Sequence, residues 1–171
     1  MKLLLLFTLL YTTTTPYIVA QDVIKQRSCS NVSISQQADS IKQELKKGGF
    51  SLLREASMAM ESEYEMPVIV PLNDGSWYTI VFIGDVSSKL IELRMLDWQE
   101  RQLVYKKSKN DNIEDGNGAN NNVLRYIYSP KFSEYHMIKP VQVNKQKKRD
   151  ICGYIMLFKK TGVATQQTYT K

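Results

Sequence analysis

The sequence predicts a mainly β protein: an antiparallel, jelly-roll-like β-sandwich of about eight strands with one N-terminal helix. Three observations carry this. From Phe50 onward, apolar side chains recur at every second position. The runs that show this period are short, evenly spaced and bounded by turn-like or charged residues. One stretch alone, ahead of all of them, has helical spacing, so strands and helices do not alternate as βαβ units require.

The helical stretch is "SISQQADSIKQELKKGG", in which Ile34, Ala38, Ile41 and Leu45 fall 4, 3 and 4 residues apart on one face. Ser33 and Gln36 fit a capping box, Lys46 and Lys47 suit the C-terminal end of the dipole, and Gly48-Gly49 stop the helix, which is predicted over 34–47. In "FSLLREASMAM", Phe50, Leu52, Ala56, Met58 and Met60 share one parity. "EMPVIVPL" sets Met66, Val68, Val70 and Leu72 on one face and Pro67 and Pro71 on the other, which makes it an edge strand, since proline cannot donate to a ladder. Asn73-Asp74-Gly75 signals a turn. "SWYTIVFIGD" is apolar on both parities, as a central strand covered on both faces would be. "KLIELRML" turns Ile91, Leu93 and Met95 inward against Glu92 and Arg94, and "RQLVYKK", "VLRYIYSP", "EYHMIKPVQV" and "ICGYIMLFKK" complete the set.

The first 20 residues have the layout of a secretory signal peptide: Lys2, an apolar core from Leu3 to Leu10, a threonine run, then Ala20 before Gln21. Cleavage is expected after Ala20, although Ile18 is large for the −3 position. The other reading is an uncleaved anchor; the threonines and Pro16 interrupt the apolar run and argue against it. The expected destination is secreted or periplasmic. Beyond the leader, 21–32 reads as an extended segment, 33–160 as one sandwich domain and 161–171 as a polar, disordered tail. In an oxidising compartment Cys29 and Cys152 have one intramolecular pairing open to them, and we expect a disulfide, with two buried thiols as the alternative. Asn31-Val32-Ser33 is a glycosylation sequon, relevant in a eukaryotic host.

Little in the chain points to catalysis. His136 is the single histidine, mid-strand and expected to face solvent, with no Gly-x-Ser-x-Gly elbow to serve. Glu61, Glu63 and Glu65 alternate beside a proline and read as a solvated connection rather than a carboxylate pair for glycoside hydrolysis. No phosphate loop is present, and a zinc set is excluded by the lone histidine and the cysteine spacing. The insertion "SKNDNIEDGNGANNN" (108–122) places Asp111, Asp115 and Gly116 at positions 1, 5 and 6 of a calcium loop. Ile113 at the third position and Asn122 at the twelfth break that template, so we expect neither metal nor cofactor.

Binding residues are easier to nominate. Without the leader's one lysine the chain holds 22 basic and 17 acidic residues, net +5. Lys145, Lys147, Lys148 and Arg149 concentrate charge in an expected hairpin loop, a candidate surface for an anionic partner and otherwise a solvated turn. No nucleic-acid fold signature accompanies them. Tyr126 and Tyr128 share a strand face, and Trp77 and Trp98 sit near strand ends. These four are ligand-binding candidates of the kind sugar-binding modules use, with core packing as the alternative.

"LIELRMLDWQERQLVY", "LRYIYSPKFSEYHMIKPVQV" and "CGYIMLFKK", within 77–160, resemble the later strands of the pre-peptidase C-terminal and GOLD-like β-sandwich families. The family's P-x-x-S-G-x-Y corner reads Pro130-Lys131-Phe132-Ser133-Glu134-Tyr135 here, with Glu134 in place of glycine, and the final-strand motif is Gly153-Tyr154 with Leu157. Residue usage is similar to small exported proteins of Bacteroidetes. The resemblance implies a jelly-roll-like accessory or binding module. Two functions follow as expectations: an exported, non-catalytic interaction or accessory domain for a protein or glycan of the envelope or extracellular space, or a carbohydrate-binding module using its tyrosine and tryptophan faces. A hydrolase is a remote third. Exposure of the four aromatics on one flat surface favours the carbohydrate reading, and their burial favours the first.

Overall fold

A computed structural model describes residues 27–109, 122–145 and 150–161. These form one helix, α1 (Val32–Lys47), and eight strands: β1 (Phe50–Met60), β2 (Val68–Leu72), β3 (Tyr78–Ile83), β4 (Leu90–Leu96), β5 (Gln102–Lys109), β6 (Val123–Tyr128), β7 (Glu134–Val143) and β8 (Ile151–Lys160). They pair into two four-stranded antiparallel sheets, ordered β1-β8-β3-β6 and β2-β7-β4-β5. The β4–β5 connection stays within a sheet; the other strand-to-strand links cross from one sheet to the other, so the fold is the expected sandwich. The leader, the calcium-like template from Asp111 to Gly116, the polar tail beyond Thr161, and Lys147, Lys148 and Arg149 lie outside the described residues. The strands that flank the basic cluster, β7 and β8, belong to different sheets and do not pair as the expected hairpin.

Alternation accounts for the two cores. Between the sheets, Met58, Met60, Val70, Leu72, Ile80, Phe82, Ile91, Leu93, Met95, Ile138 and Ile155 form one buried cluster. The opposite parity of the first sheet, Val81, Ile83, Met156 and Phe158, packs under Ile34, Ala38 and Ile41 of α1. Every residue of β3 is therefore buried, with strands on both sides and a layer on each face. β2 is an edge strand, Val70 and Leu72 buried and Pro71 outward. The single parity expected for β1 does not hold along its length. A bulge at Leu53 shifts the register, so Leu52 lies opposite Phe158 on the helix face while Ala56 lies opposite Ile155 on the inter-sheet face.

The helix begins two residues earlier than predicted. Asn31, not Ser33, is the N-cap, its side chain accepting from the Ile34 N–H at 3.2 Å, which leaves Ser33 inside the first turn. The sequon asparagine is thus engaged in capping. The predicted C-terminal stop holds: Lys46 and Lys47 fill the last turn, Gly48 is the C-cap, and Gly49 adopts φ +79°.

Cys29 and Cys152 form the expected disulfide, with Cα atoms 5.7 Å apart. The N-terminal segment reaches it by hydrogen-bonding to β1, not to β8. The Ala59 N–H donates to the Arg27 carbonyl at 2.8 Å, and the Ser57 hydroxyl bonds to the Cys29 backbone. β8 has no free edge to offer, being flanked by β1 and β3.

Polar groups seal the end of the sandwich nearest this bridge. Gln142, fully buried, accepts at Oε1 from the Asp85 N–H (2.7 Å) and the Ser88 hydroxyl (2.9 Å), and donates from Nε2 to the Cys152 carbonyl (2.9 Å) and the Met60 sulfur (3.2 Å). Its room comes from Gly153, where a Cβ would fall 2.6 Å from Met60 Sδ and 3.0 Å from Gln142 Nε2. Beside it, Asn122 donates to the Gly84 carbonyl (3.0 Å) and to Gln37 Oε1 of α1 (2.9 Å). The residue that would have closed a calcium loop is buried and spent on structure.

A second tie holds α1. Lys42 Nζ lies 2.6 Å from Glu55 Oε2, and the Tyr154 hydroxyl donates to that same oxygen at 2.7 Å. Partial burial opposes both charges, yet the mutual hydrogen bonds win: Glu55 is held below the usual carboxylate range and Lys42 above its ordinary value. Arg125 lowers the Glu44 carboxyl on the same helix.

Three outcomes follow. Gln142→Leu removes partners from the buried Cys152 carbonyl and Asp85 N–H, and we expect a loss of about 2–4 kcal/mol in a urea titration; a loss under about 0.5 kcal/mol contradicts this assignment. Thiol titration of the unfolded, unreduced protein should find no free sulfhydryl, and reduction should cost up to about 5 kcal/mol, loosening residues 27–48 before the sheets. Because the Glu55 and Glu44 values are depressed on folding, their contribution is present above the unfolded carboxylate pKa and lost as pH falls through the folded one; that of Lys42 is lost as pH rises beyond the ordinary lysine value. The melting temperature should therefore be flat between about pH 5.5 and 9.5 and decline on both sides, with the acid decline shallower in Glu55→Gln.

Candidate functional site

The end of the sandwich remote from Gln142 is built by two chain reversals. At the β4–β5 turn, Asp97 is buried, and Oδ1 accepts from the Gln99 and Arg101 N–H groups, each at 2.9 Å, while Oδ2 accepts from Arg101 Nε at 2.7 Å. Removal from water works against ionisation of Asp97, but the Arg101 amide and guanidinium and the Gln99 amide hold its carboxyl below the usual range. The turn closes through Glu100 at φ +60°. The second reversal, residues 129–133, carries the chain from β6 across to β7, and the Ser133 hydroxyl accepts from the Asp74 N–H at 3.0 Å, tying this corner to the β2–β3 turn.

Between the reversals lies a cleft of about 520 Å³, lined by Asp97, Arg101, Leu103, Tyr128, Ser129, Lys131, Phe132 and Glu134. Tyr128, in this lining, is half-buried. Its hydroxyl lies 3.3 Å from His136 Nε2, and His136 Nδ1 lies 3.2 Å from the Glu134 carbonyl, which assigns the N–H to Nδ1 and the Tyr128 proton to the tyrosine–histidine bond. Burial first, then the neighbouring Glu134 charge, raises the Tyr128 phenol. His136 does not face solvent as expected; it is 1 % exposed, because its parity on β7 is that of Ile138, which points between the sheets.

The rim is aromatic. Phe132 is 72 % exposed, and Trp98 and Tyr135, chain neighbours of the lining residues Asp97 and Glu134, are 67 % and 53 % exposed with ring centroids 5.9 Å apart. Such side chains in water, gathered at one place, are uncommon without a ligand to cover them.

The four aromatics nominated from sequence do not share one flat surface. Tyr128 lines the cleft, and Trp98 follows the lining residue Asp97 in the chain. Tyr126 contacts Tyr128 (centroids 6.4 Å), packs against the inter-sheet core and lies under Lys106 Nζ at 5.8 Å. Trp77 is 54 % exposed but has the parity of Thr79 and Val81, on the helix-bearing sheet. Of the basic cluster, Lys145 alone lies within the described residues, exposed after β7. Sequence reasoning had treated Phe132, Glu134 and Tyr135 as a structural corner and passed over Asp97 and Arg101. The available signal was an exposed-type Lys-Phe-Ser stretch after proline, where a loop has no core to bury an aromatic ring.

The arrangement can stack on an apolar face and hydrogen-bond its edge. Asp97, with both oxygens engaged and its pKa depressed, is poorly placed to transfer a proton near neutral pH. Among the described residues no group of three or more His, Cys, Asp and Glu side chains is placed to hold a metal ion.

No protein-family model matches the chain, and no curated protein matches it. Among solved structures, it is similar to a chain described as "CBM4 structure and function", at TM-score 0.40 and 13% identity, covering 66% of this chain and 79% of that one. It is also similar to a chain of the "Glycosylation Associate Protein (Gap123) complex from Streptococcus agalactiae", at TM-score 0.35 and 14% identity, covering 72% of this chain and 43%, less than half, of that one.

Proposed function

We propose that this chain is an exported, non-catalytic binding domain whose ligand is a carbohydrate, held at the corner cleft. The observation that carries the reading is a cleft that joins the exposed Phe132 ring to polar side chains, with the exposed Trp98 and Tyr135 rings next in the chain to its residues Asp97 and Glu134. Sugars present apolar C–H faces and hydroxyl edges, and a site for them combines aromatic faces with a few oriented donors and acceptors. Arg101, Ser129, Lys131 and Glu134 supply the donors and acceptors. The Cys29–Cys152 disulfide supports an oxidising, extracytoplasmic setting. No helix among the described residues is long and apolar enough to cross a membrane.

A protein partner is the second reading, favoured by Trp77 and Ile127, which are 54 % and 57 % exposed on the other sheet. The two separate by mutation. Phe132→Ala should weaken retention on immobilised glycans at least about tenfold with an unchanged melting temperature, whereas Trp77→Ala should not change it. Glycan retention unaffected by Phe132→Ala, or absent from the unsubstituted protein, contradicts the carbohydrate reading.

A further inference from the structure

The outer faces of the two sheets differ: one carries α1, and the other, formed by β2-β7-β4-β5, has no helix among the described residues. On that bare face the register aligns outward side chains in rows. Pro71 lies opposite Tyr135, whose ring meets Trp98, and the next row is Ile69, Met137 and Leu96. Ile69 is 50 % exposed, so the two rows make an apolar strip that ends at Trp98 and Tyr135, the chain neighbours of the cleft residues Asp97 and Glu134. Adjacent strands are about 4.8 Å apart, and the strip crosses three of them. Beyond it Arg94 pairs with Glu65 (2.7 Å) and Glu92 (2.6 Å) and Lys139 with Glu65 (2.9 Å), while Lys107 of β5 lies over the Tyr105 ring at 5.9 Å.

We infer that the ligand is a chain of several uncharged sugars, running from the cleft across the Trp98–Tyr135 pair onto this strip. The inference rests on the carbohydrate reading above and adds length and charge to it. Six side chains are far fewer than the roughly 20 residues a side of a stable protein interface, which argues against a second copy or a folded partner. The six side chains of the strip are uncharged, and Arg94, Lys139, Glu65 and Glu92 beside it offset one another in ion pairs. Flat aromatic and aliphatic surface suits successive sugar faces.

Titration of the intact disulfide-bonded protein with glucose, xylose, mannose and N-acetylglucosamine oligomers of one, three and six units, and with a galacturonate hexamer, tests it. The expected result is binding to one neutral series, at least about tenfold tighter at six units than at one. Trp98→Ala should lower six-unit affinity more than one-unit affinity, and Ile69→Ser, at the far row, should lower six-unit but not one-unit affinity. Equal affinity at all lengths, with Phe132→Ala still eliminating binding, overturns the inference and leaves the carbohydrate reading standing. A preference for the galacturonate hexamer overturns the uncharged assignment. Binding of none of these probes overturns both.

Discussion

Two β-sheets that meet through apolar side chains can slide over one another, since burial of hydrocarbon rewards area and not position. In this fold position is set by a buried amide. Gln142, on β7 of one sheet, reaches the Cys152 carbonyl on β8 of the other and gathers the Asp85 N–H and Ser88 hydroxyl from the β3–β4 crossover. A buried amide stripped of partners is costly, so alternative registers that part these groups are disfavoured by the penalty of each orphaned atom as well as by lost contacts. The disulfide closes on Cys152 itself, and the β1 methionine Met60 touches the same amide. Strands β1, β7 and β8, the β3–β4 crossover and the N-terminal segment thus converge on one end of the sandwich.

That convergence divides the molecule. At the Gln142 end the buried amides of Gln142 and Asn122 are hydrogen-bonded on both their oxygen and nitrogen atoms, and the helix packs along the sheet from there. At the opposite end, among the described residues, the Tyr128–His136 bond joins the sheets and the Asp74–Ser133 bond joins two loops, with a cleft between the reversals. Asp97 and Arg101 make the floor of that cleft rigid by satisfying a turn, while Phe132 and Trp98 stay in water. Rigidity beneath and exposed rings above are what a preorganised binding surface requires.

Much of the fold was legible because burial imposes a period of two. The central position of β3 followed from its apolar residues on both parities, the edge position of β2 from its prolines, and the faces of β8 from its alternation, with Cys152 on the helix side and Ile155 on the inter-sheet side. What alternation cannot show is where it breaks or which parity points in when both are mixed. The bulge at Leu53 reversed the faces of β1, since one extra residue flips every side chain beyond it. His136 read as solvent-facing from its type, yet the parity of β7 buried it and Tyr128 satisfied it. The N-cap was misplaced because Asn31 and Ser33 are both good caps two residues apart, and the choice rests on where the disulfide holds Cys29. Nominating tryptophans and tyrosines found Tyr128, which lines the cleft, and Trp98 beside it, but not the corner that carries Phe132 and Tyr135. That corner depends on residues far apart in sequence meeting across two sheets.

The Asp85 amide proton reports on the Gln142 staple most directly. It sits in a crossover loop, where an amide open to water exchanges quickly, but here it donates to Gln142 Oε1 at 2.7 Å. Native-state hydrogen exchange should therefore find Asp85 exchanging through global unfolding, with the same denaturant dependence as the amides of β3 and β8. Exchange at Asp85 about a hundredfold or more faster than in those strands, and insensitive to denaturant, would contradict the account, because the crossover would then open while the sheets stay closed.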